Sequence, residues 1–224
     1  MGANQAAEAA LQMSTIKFLG RIMVAQLQPQ FMTVQEYLAW EEQQPIKYEY
    51  INGEVFAMTG GTIPHNDVTI NLTTALKNHL RGTGCKVQMA DAKVGVSENG
   101  PFYYPDVMVS CDPRDRTSRK AIYHPCLIVE VLSPGTEAWD RGRKFENYRK
   151  IQTLKEYVLI EVDRRNVECY RLNEKGKWEL TAYAFDATTV SDTEIEVELI
   201  SVDFRCPMSL LYEDVVFPED FKGN

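Results

Sequence analysis

Several things are scarce or missing in this 224-residue chain, and each absence removes a class of protein. It has no apolar run longer than a strand, so no transmembrane helix is expected. Histidine occurs only at 65, 79 and 124, and the five cysteines (85, 111, 126, 169, 206) have no CxxC spacing. A Cys/His zinc cluster is therefore excluded. The odd, scattered thiols are expected to be reduced, several of them buried, in a cytoplasmic protein. Positive charge is not in excess: 24 Lys and Arg face 32 Asp and Glu, for a net charge of −8. That argues against a histone-like nucleic-acid binder, but not against an enzyme that meets phosphates with a local basic face. There is no internal repeat, low-complexity segment or dividing linker. One domain is expected over 31–217, with a peripheral extension over 1–30 and a tail over 218–224. Lys17 and Arg21 come too late for a signal peptide, and Met23 or Met32 is an alternative start.

What is present is a mixed pattern of strands and helices. Thr33 and Glu36 make a capping box for a short helix. Asn52-Gly53 between Tyr48–Ile51 and Glu54–Met58 is a hairpin signal. His65 to Leu80 has apolar residues at helical spacing (Val68, Leu72, Ala75, Leu76, Leu80) and ends at Gly82. Strands are expected over 85–95, 102–110, 127–132 and 155–162. A hairpin is expected over 167–185, an exposed strand over 194–200 and a short helix over 204–216. A charged helix should begin at Asp140 and carry Arg141, Arg143, Lys144, Tyr148, Arg149 and Lys150.

The stretch Leu127-Ile-Val-Glu-Val-Leu132 is unbroken apolar sequence apart from Glu130. A strand covered on both faces tolerates such a run, but a carboxylate within it is costly unless paired or bound to a cation. Asp106, before the apolar strand Val107–Ser110, can converge with Glu130 because sequential strands are usually neighbours. Two carboxylates suit Mg²⁺, which takes one or two from the protein and keeps waters and phosphate oxygens. An activated water and a nearby Lys would complete a phosphodiester-hydrolysing site. Glu54, directly after the hairpin turn, is a third acid at a strand edge. His65 could contact the cleft, and Arg114, Arg116, Arg119 and Lys120 form a charged loop suited to backbone phosphates.

Taken together, Thr33-Val-Gln-Glu-Tyr-Leu38, Tyr48-Glu-Tyr-Ile-Asn-Gly-Glu54, His65, Tyr104-Pro-Asp-Val107, Val129-Glu-Val-Leu-Ser-Pro134, Asp140, Lys144, Tyr148 and Glu156-Tyr157 make the chain resemble the Uma-two family of restriction endonucleases. That family is built on the PD-(D/E)XK nuclease fold, and the likeness covers about residues 31–217. The resemblance implies an α/β (α+β) restriction-endonuclease-like core, a mixed central sheet flanked by helices, with an added N-terminal hairpin and C-terminal β-hairpins. It also implies catalytic Glu54, Asp106, Glu130 and Lys144, with Mg²⁺ (or Mn²⁺) held by Asp106, Glu130 and the Val131 backbone carbonyl. Where the superfamily places Lys two positions after the strand Glu, this chain has Leu132, so the cation is expected on the next helix, at Lys144. Arg143, Lys150 and Lys93 are the rivals. His65 and Tyr148 are candidate supports, and Arg143 joins the four loop cations as a candidate DNA contact.

The activity so implied is metal-dependent DNA endonuclease. DNA is the expected partner and a homodimer is plausible; no membrane and no small-molecule cofactor are expected. The alternative is a catalytically inert member of the same fold that binds nucleic acid or protein, which the net acidity and Leu132 favour. A structural dimer joined through the 167–185 hairpin is a third reading.

Overall fold

The structure, a computed structural model, describes residues 31–58, 60–184 and 194–217. The expected extension over 1–30, the tail over 218–224 and Phe185 lie outside the described residues. Among those described, no helix is long and apolar enough to cross a membrane.

Helix α1 (Val34–Glu41) starts on the expected capping box: the Thr33 hydroxyl accepts from the Glu36 N–H, and Glu36 accepts from the Thr33 N–H at 2.8 Å. Strands β1 (Tyr48–Ile51) and β2 (Glu54–Ala57) form the expected hairpin. Its turn places Asn52 at φ 51° and Gly53 at φ 96°, the left-handed pair that Asn-Gly accommodates. Helix α2 (Ile63–His79) begins two residues before the expected His65, because Thr62 caps it and Pro64 sits in its first turn.

Strand β3 (Lys86–Met89) ends earlier than expected, and β4 (Val94–Gly95) belongs to a different sheet. The expected strand over 102–110 is also split, into β5 (Phe102–Tyr103) and β6 (Val107–Ser110). The break falls at Tyr104-Pro105-Asp106, where proline removes the ladder donor. One sheet runs β2-β1-β5-β4. The six-stranded central sheet runs β10-β9-β8-β7-β6-β3, with β7 (Leu127–Val131), β8 (Glu156–Ile160), β9 (Asn166–Leu172) and β10 (Trp178–Ala184). Its strands pair antiparallel except β7 and β8, which are parallel and joined by a crossover helix.

That crossover, α3, spans residues 137–148: an α turn at Glu137–Trp139, a π turn at Asp140–Lys144 and an α turn at Phe145–Tyr148. The end of the chain departs from expectation. In place of a helix over 204–216 there is β12 (Phe204–Pro207), paired with β11 (Glu196–Leu199), then a single turn, α4 (Met208–Leu211). β11 is not an exposed strand either, since Val197 and Leu199 are buried in the core.

The central sheet is covered on both faces. Leu127, Val129 and Val131 pack with Val68, Leu72 and Leu76 of α2 and with the β11–β12 segment. Ile128 and Leu132 face the other way, onto Tyr148, Ile151, Tyr157 and Leu159. Each such buried aliphatic side chain contributes about 1.5–3 kcal/mol, which is how β7 carries one acid into the core. The expectation of reduced thiols fails at one place. Cys85 and Cys111, directly outside the Lys86–Ser110 pair of β3 and β6, face each other and form a disulfide. Cys126, Cys169 and Cys206 are free.

Candidate active site

The β5–β6 break delivers Asp106. The antiparallel pairing of β6 with β7 stops at Val107–Val129, so the Val131 N–H has no strand partner on that side. Asp106 Oδ2 accepts it at 2.8 Å, which binds the acid to the end of β7. The other oxygen, Oδ1, lies 3.2 Å from His65 Nε2 in the first turn of α2. Asp106 and His65 line one cleft of about 730 Å³ with Glu130, Val131, Asp140 and Lys144.

Glu130 points from β7 toward α3, where it is buried. Its Oε1 accepts from the Tyr148 hydroxyl at 2.8 Å and from Lys144 Nζ at 3.2 Å. Lys144 is also within 3.1 Å of Glu49 Oε1 and Asp140 Oδ1. The π turn turns both Asp140 and Lys144 inward, where each is buried; such turns recur at functional sites. Three carboxylates thus surround one ammonium. Two of their oxygens, Glu49 Oε1 and Asp140 Oδ1, are buried with Lys144 at ion-pair distance but no hydrogen bond directed at them.

The electrostatics follow from that crowding. Burial raises the Glu130 pKa well above the usual range; Lys144 opposes the rise, and Asp140, Asp106 and Glu49 add to it. Burial likewise raises Glu49 and Asp140 against the pull of Lys144. Burial acts to lower Lys144, but the negative charge of Glu130, Glu49 and Asp140 outweighs it and holds the ammonium well above its ordinary value. His65 is raised by the same balance: burial opposes its charge, while Asp106, Asp140 and the Val131 carbonyl favour it.

Asp106, Glu130, Lys144, His65 and Tyr148 therefore come together as the sequence suggested. Glu54 does not: it is half-buried at the start of β2, paired with Ile51, and it is not among the residues lining the cleft or contacting Lys144. Glu49 is the acid that the hairpin contributes. It was missed because Tyr48-Glu-Tyr-Ile51 alternates like a strand with a solvated face, whereas all four residues are buried. Lys93 is no rival to Lys144, being paired with buried Glu41 at 2.9 Å and stacked over Tyr37.

The expected DNA contacts lie away from the cleft. Arg114 is held by Asp112 and Lys120 by Glu42, both at 2.6 Å, while Arg116 and Arg119 are exposed on the same loop. Arg143 stacks over Trp139 and lines a separate groove of about 990 Å³ with Arg149 and Lys150.

A central mixed sheet whose strand ends gather acids and one buried lysine defines a restriction-endonuclease-like protein. The solved structure of a putative nuclease belonging to DUF820 from Anabaena variabilis has this fold, with a TM-score of 0.65 at 15% identity over 83% of this chain and 99% of that one. The family model described as Uma2, putative restriction endonuclease, matches residues 34–207, and the chain belongs to that family. Two uncharacterized proteins of Synechocystis sp. are similar to it. One, slr1290, is 38% identical over 83% of this chain and 94% of its own length. The other, sll1609, is 36% identical over 67% and 86%.

Proposed function

We propose that the chain is a metal-dependent DNA endonuclease that hydrolyses phosphodiester bonds, using Asp106, Glu130 and the Val131 carbonyl to hold Mg²⁺ or Mn²⁺. The observation that carries this reading is the surplus of carboxylate. Glu49, Asp106, Glu130 and Asp140 gather around Lys144 and His65, and the buried oxygens Glu49 Oε1 and Asp140 Oδ1 share the single Lys144 ammonium, each at 3.1 Å. Like charges so close are unfavourable without a further cation. Among the described residues no three His, Cys, Asp or Glu side chains form a ready-made metal cage. Mg²⁺ does not require one, since it binds through one or two carboxylates with water and phosphate oxygens completing its shell. When bound, such an ion activates water and stabilises charge on the phosphate.

The chain's own residues have definable parts in this. Asp106 is fixed in the lining of the cleft, its Oδ2 by the Val131 N–H and its Oδ1 beside His65. Lys144, buried in the lining of the cleft, is the cation that would take the role Leu132 cannot fill. Tyr148 holds Glu130 from behind through its hydroxyl. The family's nuclease description supports a nucleic-acid substrate; the choice of DNA and any dimer that cuts both strands belong to this proposal.

The test is Asp106→Ala. The wild type should bind Mn²⁺ in calorimetry and cleave supercoiled plasmid, and the variant should do neither while keeping its circular dichroism spectrum. A variant that nicks plasmid as fast as the wild type removes the residue assignment. Metal binding by the wild type with no nucleic acid cut in any form favours the inert binding module instead.

A further inference from the structure

We propose that the DNA backbone is seated in the groove on the outer side of α3, where Arg143, Arg149 and Lys150 take its phosphates. The inference rests on the nuclease reading above for the choice of DNA, and it assigns that substrate a surface. Its ground is a local reversal of sign. The chain carries a net charge of −8, yet these three exposed cations line one hollow of about 990 Å³, in which Glu146 is the one lining carboxylate among the described residues. Arg141 also lines it, but its guanidinium is taken by Glu137, Glu161 and Glu168. The other three are engaged differently. Arg143 lies over the Trp139 ring, 5.5 Å from its centroid, Arg149 lies over the Phe145 ring at 5.0 Å, and Lys150 donates to Asn147 Oδ1 at 2.7 Å. Among the described residues none of the three is paired with a carboxylate.

A guanidinium that rests on a ring is held by its face and keeps its N–H edge for an acceptor. That edge is a fork matched to phosphate oxygens. Because each side chain is already ordered, it loses less rotamer freedom when a phosphate binds. A second hollow extends the first. It measures about 360 Å³, shares Val96, Ser97 and Lys150 with the larger one, and is lined further by Tyr123, His124 and one acid, Glu98. Lys150 therefore stands where the two meet, and the trough suits a chain of phosphates better than a single anion. α3 also ties the trough to the cleft. Lys144 is buried in the lining of the cleft, and the residue before it, Arg143, is exposed in the groove.

The experiment is fluorescence anisotropy of a labelled DNA duplex with the full-length protein in EDTA, over a range of salt, with plasmid cleavage in Mn²⁺ measured separately. The triple variant Arg143→Ala/Arg149→Ala/Lys150→Ala should bind roughly tenfold or more weakly, and its salt slope should shrink by about 2–3, since each phosphate contact contributes about 0.9. A charge-matched variant, Lys120→Ala/Lys175→Ala/Lys177→Ala, should bind as the wild type does. Equal weakening by both variants would mean that net charge alone is at work, and overturns the groove. A triple variant with wild-type affinity and slope overturns it too; plasmid cleavage by the wild type then leaves the nuclease reading standing. If the duplex binds through the groove and no plasmid is cut, the groove stands and the nuclease reading falls. Poly-glutamate that displaces the duplex as well as unlabelled DNA does, at equal ionic strength, makes an acidic protein the occupant and overturns the seating of DNA.

Discussion

Replacing Lys144 by Met tests whether charge, and not packing, makes this lysine necessary. Methionine keeps most of the aliphatic stem, so the chief loss is the ammonium that lies 3.1 Å from Glu49 and Asp140 and 3.2 Å from Glu130. Removing one partner of a buried ion pair costs about 3–5 kcal/mol, because the charge left behind is uncompensated. With a urea dependence of about 2 kcal/mol per molar, the unfolding midpoint at pH 8 should fall by roughly 1.5–2.5 M. The pH dependence identifies the cause. Burial has already raised the three acids, and Lys144 opposes that rise; without it they rise further. A carboxyl whose folded value exceeds its unfolded one adds stability below the unfolded value, near 4, and loses it as pH climbs through the folded value. The deficit of the variant should therefore be largest at pH 8 and less than half as large at pH 5. Equal deficits at the two pH values would mean lost packing, and no deficit at pH 8 would mean that Lys144 is not confined among the acids at all.

Three further outcomes are expected. Tyr148→Phe removes a hydroxyl donor from buried Glu130 and should lower stability by about 1–3 kcal/mol in urea unfolding, an unchanged midpoint counting against the bond. Glu49→Gln should slow plasmid cleavage at least tenfold, whereas Glu54→Gln, outside the cleft, should cleave normally and shift stability by no more than about 0.5 kcal/mol. Arg143→Ala should weaken DNA binding and reduce the magnitude of the salt slope by about 1, while Lys120→Ala, whose charge is taken by Glu42, should change the slope much less.

How far the site could be read from sequence depended on how local each signal was. The capping box, the Asn-Gly hairpin and the buried run of β7 are written within a few residues, and they stand as expected. Glu130 was recognisable because an acid inside a continuous apolar strand needs a partner. Glu49 was not, because its burial comes from a second layer that period-2 alternation does not report. The π turn at Asp140–Lys144 leaves no recognised sequence mark, so the inward aim of both residues had to be seen. The same holds for Cys85 and Cys111, which face each other only through the register of β3 with β6. The strand expected over 102–110 broke at a proline already visible, which a stricter use of ladder geometry would have caught.

The parallel pairing of β7 with β8 has a bearing on when the buried charged group forms. The segment joining those two strands is the helix that brings in Lys144, while Glu49 waits on a hairpin near the start of the chain and Asp106 on a third segment. The group is drawn from positions spread over about a hundred residues, from Glu49 to Tyr148, and contacts that close long stretches of chain form slowly. The arrangement of these groups should thus arrive with the finished fold and leave with its first opening. A partly synthesised or unravelled chain would carry the acids but not their arrangement.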